Sequence, residues 1–257
     1  MTRAAAACLA AGLLLLAVGL EAKPPLSTVD MPPTKAEQAE LFLGYQYDAD
    51  RIIGRSIPAA ALYLGLSDRD EISVSAPYLS ADGHTGFGDV RLGTKYMING
   101  NDKRDSGISA AFEAKLANAS QSAELGSGAV DYQGRLIAQQ SWKKMKAYLN
   151  YAHTWVGLPT INGAPAARHN TNSISAATET DAPGNVKVLA EMVWTTSAIP
   201  DTPYSLSANT GLRYKVGDNL ELHAVMGRSL REANTGGPRM LAYAGLKFAF
   251  ASLPSDH

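Results

Sequence analysis

From Glu40 onward, apolar and polar residues alternate along the chain with a period of two, the period at which strand side chains point to opposite faces. In SGISAAFEAKL, Ile108, Phe112 and Leu116 share one face, and Ser109, Glu113 and Lys115 the other. In PYSLSANTGLRYKV, Leu206, Ala208, Leu212, Tyr214 and Val216 oppose Ser205, Ser207, Asn209, Arg213 and Lys215. A helix would set Glu113 and Lys115 about 200° apart, whereas a strand keeps each set together. The same pattern runs through ELFLGYQY, AAALYLGL, EISVSAPY, DVRLGTKYMI, VDYQGRLIAQQ, MKAYLNYAHTWV, NVKVLAEMVW, NLELHAVMG and MLAYAGLKFAF, and more weakly through HNTNSISAAT. These make about twelve strands of roughly 8 to 13 residues, close to what a tilted strand needs to cross a bilayer.

The connections sharpen this. Tight polar turns (SDRD at 67–70, SWKK at 141–144, GD at 217–218) contrast with long Gly-, Ala-, Asn- and Pro-rich stretches at 79–86, 117–128, 157–167 and 228–239. In an up-and-down barrel with its amino terminus in the periplasm, every even-to-odd connection is periplasmic and short. The three tight turns obey that parity only if HNTNSISAAT is the eighth strand, so parity predicts twelve. The prediction is an all-β fold: a transmembrane antiparallel up-and-down β-barrel occupying 37–250.

A soluble β-sandwich also alternates, but its apolar face fills a core with large side chains. Here that face carries many Ala, Tyr and Thr, as a lipid-facing exterior tolerates, while the other face carries charges strand after strand. The expected lumen lining is Arg91, Lys95, Glu113, Lys115, Arg135, Glu191, Arg213, Lys215, Glu221 and Lys247, with Glu71, Asp89, Asp131 and Lys187 on the same face. Tyr45, Tyr47, Tyr78, Tyr96, Tyr132, Trp155, Trp194 and Tyr214 lie mostly toward strand ends, as headgroup girdles require. Twelve strands fall between barrels filled by side chains and barrels with open channels. A narrow, partly plugged pore lined by both signs of charge is therefore expected.

Ahead of the barrel, one early Arg, an apolar run from Ala4 to Leu20 and a Pro-rich exit read as a cleaved signal peptide over 1–22. Residues 23–36 read as a Pro-rich periplasmic lead-in, and 251–257 as a periplasmic tail. The sole cysteine, Cys8, lies within the leader. The mature chain would thus have no thiol for catalysis, disulfides or metal ligation, and the reading assigns no cofactor or metal. A formal net charge of -1 offers no nucleic-acid surface.

For chemistry, the sharpest candidate is His153 on the apolar face, where a hydroxyl on a neighbouring strand would make a lipid-facing hydrolase. An interfacial histidine beside Trp155 is the simpler reading, because no nucleophile, base and orienting group are spaced together. No catalytic residue is assigned. His223 shares a face with Glu221 as lumen lining, without a second ligand at metal spacing. The glycines of Gly86-Phe87-Gly88-Asp89 precede a strand, and a phosphate loop needs a helix there.

The last strand, Tyr243-x-Gly245-x-x-Phe248-x-Phe250, resembles the carboxy-terminal signal read by the barrel assembly machinery. The resemblance implies that both Phe face lipid. Gly86-x-Gly88-Asp89-x-x-Leu92-Gly93-x-Lys95-Tyr96, Asn209-Thr210-Gly211-Leu212-Arg213-Tyr214 through Asn219-Leu220-Glu221-Leu222, and Gly237-Pro238 with the last strand resemble outer-membrane transporters of the MetA-pathway of phenol degradation family. That resemblance implies a Gram-negative outer-membrane barrel admitting small hydrophobic or aromatic compounds, with lipid and the assembly machinery as partners. A non-conducting structural or surface barrel is the alternative.

Overall fold

The computed structural model describes residues 28–49, 54–81, 84–101, 103–121, 125–161, 164–165, 168–231 and 240–250. Twelve long strands follow one another: β1 (Ala39–Ala49), β2 (Gly54–Gly65), β3 (Asp70–Ala81), β4 (Arg91–Gly100), β5 (Gly107–Lys115), β6 (Asp131–Trp142), β7 (Met145–Trp155), β8 (Thr171–Ala182), β9 (Val186–Thr195), β10 (Ser205–Lys215), β11 (Leu220–Arg231) and β12 (Met240–Phe250). Each pairs antiparallel with its neighbour in sequence, and β12 pairs with β1, so the sheet closes without a free edge. Closure matters in lipid, where no water is available to an unpaired backbone group. The weakest strand in the sequence, β8, pairs along its length with β7 and β9. Parity therefore identified it correctly.

Two ends can be told apart. The end at which β1 begins and β12 finishes carries the turns 66–69, 101–106, 143–144, 183–185 and 216–219. The opposite end carries the longer stretches 82–90, 116–130, 156–170 and 196–204. We call these the turn end and the loop end. At the loop end β3 parts from β4: their last pair is Ser75 with Arg91, and Pro77, which has no N–H, lies just beyond. Pro77 instead accepts from Gly88 N–H at 2.8 Å, and a short strand, His84–Phe87, completes the pairing of β3.

Alternation sorts the residues as the pattern required. Tyr45, Tyr47, Tyr78, Tyr96, Tyr132, Trp155 and Tyr214 are exposed on the outer face, and Trp194 is half-buried. Phe250 is exposed, and Phe248 shares its parity, opposite inward Tyr243, Gly245 and Lys247. At the β1–β12 seam Gly44 stands opposite Gly245. The Tyr243 ring lies across both, where a Cβ on either glycine would collide with it.

The interior is more apolar than the charge pattern implied. Tyr148, Ala177, Leu189, Val225 and Tyr243 form one buried cluster, and Phe42, Ala61 and Tyr63 another. A third contains Val29, Met31, Met97 and Ile137. Two members of that third cluster precede the barrel. The lead-in expected in the periplasm over 23–36 is described from Thr28, and from there to Thr34 it lies inside the lumen. The leader at 1–22 and the tail at 251–257 lie outside the described residues.

Candidate functional site

The lumen segment Thr28–Thr34 enters from the turn end, because Thr34 sits beside Glu71 near the start of β3 and β1 follows directly. The turn is tight. Gln38 N–H donates to Lys35 O at 3.1 Å, Glu37 N–H to Gly65 O at 3.1 Å, and Glu37 adopts φ 57°. Gly65 is required for this approach, since a Cβ there would land on the Lys35 and Thr34 carbonyls.

Inside, strand side chains satisfy the backbone of the segment. Thr28 N–H donates to Glu191, which also accepts the Thr28 hydroxyl at 2.5 Å. Asn150 makes a two-bond clamp on Val29: its Oδ1 accepts from the N–H at 2.8 Å and its Nδ2 donates to the carbonyl at 3.1 Å. Met31 N–H donates to Gln139 Oε1 at 3.1 Å, and Met31 O accepts from the Ser109 hydroxyl at 2.7 Å. Lys95 Nζ donates to Asp30 O at 3.3 Å and Pro32 O at 3.0 Å, and Arg104 donates to Pro33 O at 3.0 Å. Glu71 accepts both the Thr34 N–H, at 2.5 Å, and its hydroxyl, at 2.7 Å. Pro32 and Pro33 have no N–H to satisfy. Val29 and Met31, two residues apart, both face Met97 and Ile137, and Met31 is fully buried.

The expected lumen charges point inward and pair in three groups. At the loop end Lys115 Nζ lies 2.5 Å from Asp131 and 3.9 Å from Asp89, and Arg91 lies 2.7 Å from Glu113. Ser127 joins this group: its hydroxyl is 2.6 Å from Lys115 Nζ, and its N–H donates to Asp89 at 2.9 Å. That pins part of the 116–130 stretch onto the barrel mouth. At mid-depth Lys95 is 3.5 Å from both Glu71 and Asp30, while Arg135 donates to Gln133 Oε1 at 2.7 Å and Asn150 Oδ1 at 3.5 Å. Glu191 also accepts from Asn209 at 2.6 Å. Toward the turn end Lys187 and Arg213 are cross-strand neighbours of like charge, reconciled by Glu179 at 2.8 and 3.0 Å. Lys247 faces Glu221 across the ladder and binds Glu40 at 2.7 Å, and Glu221 lies 3.2 Å from His223. Lys215 differs from the rest: it sits at the strand end, half-exposed, 3.2 Å from Asp218.

Free space remains beside the segment. A small hollow is bounded by Val29, Tyr63, Glu71, Ser73, Ser75, Lys95, Glu113, Gln133 and Arg135. A second shares Glu113 and Gln133 with it and extends to Asp131, Thr154, Val156 and Thr171. The two lie side by side along the inner face of β2–β8, the second toward the loop end.

The sequence reading missed the segment itself and its neutral partners Ser109, Gln139 and Asn150. Their signal was faint: uncharged polar residues on the charged face. His153 lies outward, 4.8 Å from Trp155 between ring centroids, with Nδ1 2.9 Å from Asn172 Oδ1. Its cross-strand partners are Gly134 and Asn172, and the Tyr151 hydroxyl donates to the same Asn172 Oδ1 at 2.8 Å.

No family model matches the chain, and no curated protein matches it. Solved structures do. The COG4313 outer membrane channel from Pseudomonas putida F1 superposes with TM-score 0.74 at 12% identity, over 88% of this chain and all of that one. The KdgM porin superposes with TM-score 0.58 at 11% identity, covering 81% of this chain and 99% of the porin. The CymD monoaromatic hydrocarbon channel gives 0.54 at 8%, over 84% and 89%. The fold is that of outer-membrane channel barrels. At these identities the likeness concerns architecture, and the lumen chemistry must be argued from this chain's own residues.

Proposed function

We propose that the chain is a passive channel of the Gram-negative outer membrane whose own amino-terminal segment plugs it. The carrying observation is the seating of Thr28–Thr34 across the lumen of a closed twelve-strand barrel, with charge-lined hollows left beside it. The turn end faces the periplasm and the loop end the exterior, following the rule that periplasmic turns are short. Residues 1–22 direct export and are removed, and 251–257 hang in the periplasm. Tyr243, Gly245, Phe248 and Phe250 serve the assembly machinery, and the surrounding partner is outer-membrane lipid.

Lumen residues Arg91, Lys95, Glu113, Lys115, Arg135, Glu191, Arg213, Glu221 and Lys247 set the field along the lumen; exposed Lys215 contributes least. The cargo is small and hydrophobic or aromatic. The motifs that resemble the phenol-degradation transporters support this, as do the inward aromatics, Phe42 and Tyr63 in one buried cluster and Tyr148 and Tyr243 in another. CymD, of the same architecture, is a monoaromatic hydrocarbon channel. In this reading the barrel carries cargo rather than transforming it, and the channel and porin barrels of the same architecture support it.

The test is single-channel conductance of the refolded chain in a planar bilayer. Small stepwise currents, whose reversal potential shifts when Arg91 and Arg135 are neutralised together, are expected. A folded barrel that stays silent even with the plug displaced would overturn the channel reading in favour of a structural one.

A further inference from the structure

The plug is held as a ligand is held, not as a strand is held. Four of its N–H groups and five of its carbonyls are bonded to side chains that six different strands and one turn aim into the lumen. Side chains that recognise backbone groups do not depend on the peptide being covalently joined to the barrel. The geometry assigns a peptide-binding track to this lumen, occupied in cis by residues 28–34 and able to take an untethered peptide of the same bent course. This rests on the plugged-channel reading.

The track defines the class of peptide. Glu191 and Glu71 each take an N–H and a hydroxyl from the same residue, Thr28 and Thr34, so the site is clamped at both ends by carboxylates expecting a hydroxyl residue. Between the clamps, Val29 and Met31 belong to one buried apolar cluster with Met97 and Ile137, and the backbone bends at Met31 and Pro32. At the Pro-Pro step the lumen presents donors, Lys95 and Arg104, to the two carbonyls. The ligand is thus a seven-residue peptide, bent at its fourth and fifth positions, of the form hydroxyl, apolar, acidic, apolar, Pro, Pro, hydroxyl, the acidic position meeting Lys95 at 3.5 Å. The tethered copy normally wins, because a short linker holds it at an effective concentration on the order of millimolar. An exogenous peptide therefore binds only when the cis copy is dislodged.

The experiment disables the plug and leaves the track intact. The full chain carrying Met31→Asp places a charge against Met97 and Ile137, and Val29→Asp is an independent second variant. Folding is checked by heat-modifiable gel migration before bilayer recording. Both variants should conduct more than the unsubstituted chain, and a synthetic Thr-Val-Asp-Met-Pro-Pro-Thr peptide added at the turn end should restore the low-conductance state. A scrambled peptide of the same composition should need at least about tenfold more, and adding Asn150→Ala to Met31→Asp should weaken the block roughly 30-fold. Open variants that the peptide does not block, or that both peptides block equally, overturn the track and leave the channel reading standing. Folded variants that conduct no more than the unsubstituted chain overturn the plugged-channel reading, and the track with it.

Discussion

The barrel wall and the plug satisfy their backbones in opposite ways. Wall residues bond to backbone groups of neighbouring strands, a ladder that is largely indifferent to side-chain identity. The plug depends on particular side chains: Asn150, Glu191, Glu71, Gln139, Ser109 and Lys95. A laddered wall opens only by breaking a whole row of bonds together, whereas the plug is released by losing a few polar contacts whose groups water can take over. Stability and gating should therefore separate cleanly by mutation.

The largest effect is expected in the wall's loop-end charge group. Lys115→Ala would leave Asp89 and Asp131 buried without their cation and cost about 3–5 kcal/mol. Its urea unfolding midpoint should fall sharply while the frequency of open events in the surviving folded fraction stays that of the parent, because Lys115 touches no residue of the plug. Parent-like stability would show that these carboxylates are solvated.

Asn150→Ala reverses the pattern. Losing two bonds to Val29, at about 1 kcal/mol each, shifts the seated-to-released ratio by roughly 30-fold. Open events should become correspondingly frequent at an almost unchanged unfolding midpoint. An equal loss of wall stability would break the distinction.

Glu37→Gly sharpens it further. The left-handed backbone at the joint costs a non-glycine residue about 1 kcal/mol, so glycine should seat the plug more firmly and lower opening several-fold. More frequent opening would mean that the Glu37 side chain, not the joint's geometry, governs seating. The smallest change is expected outside: Trp155→Phe, on the lipid face, should stay within about 0.5 kcal/mol and leave conductance untouched.

The wall was legible because its partners are consecutive in sequence. Period-two alternation in segments such as SGISAAFEAKL and PYSLSANTGLRYKV assigned faces, and the parity of tight turns identified β8 despite its weak composition. The inward charges were legible for the same reason, since polarity follows face. Their pairing was not: that Glu179 reaches both Lys187 and Arg213, or that Lys115 lies between Asp89 and Asp131, depends on rotamers and strand stagger. Lys215 shows the limit, having the right parity at a depth where its side chain meets solvent.

The plug was illegible for a different reason. Residues 28–34 meet Gln139, Asn150 and Glu191 across sequence separations of 108, 121 and 163, so no local period records the contact. The Pro32-Pro33 pair reads equally well as an extended linker or as a stretch lacking donors to satisfy. Only closure of the barrel supplies the ring of inward side chains that distinguishes them.

Sequence by itself determined the strands, their number, their two faces and the closure that lipid demands, because those follow from alternation and from turns between adjacent segments. Tertiary structure alone decided that the lead-in turns inward at Gly65, that its backbone is read by side chains from six strands, and that the lumen is divided between a peptide and charged hollows. Such contacts exist only once distant strands stand around a common axis.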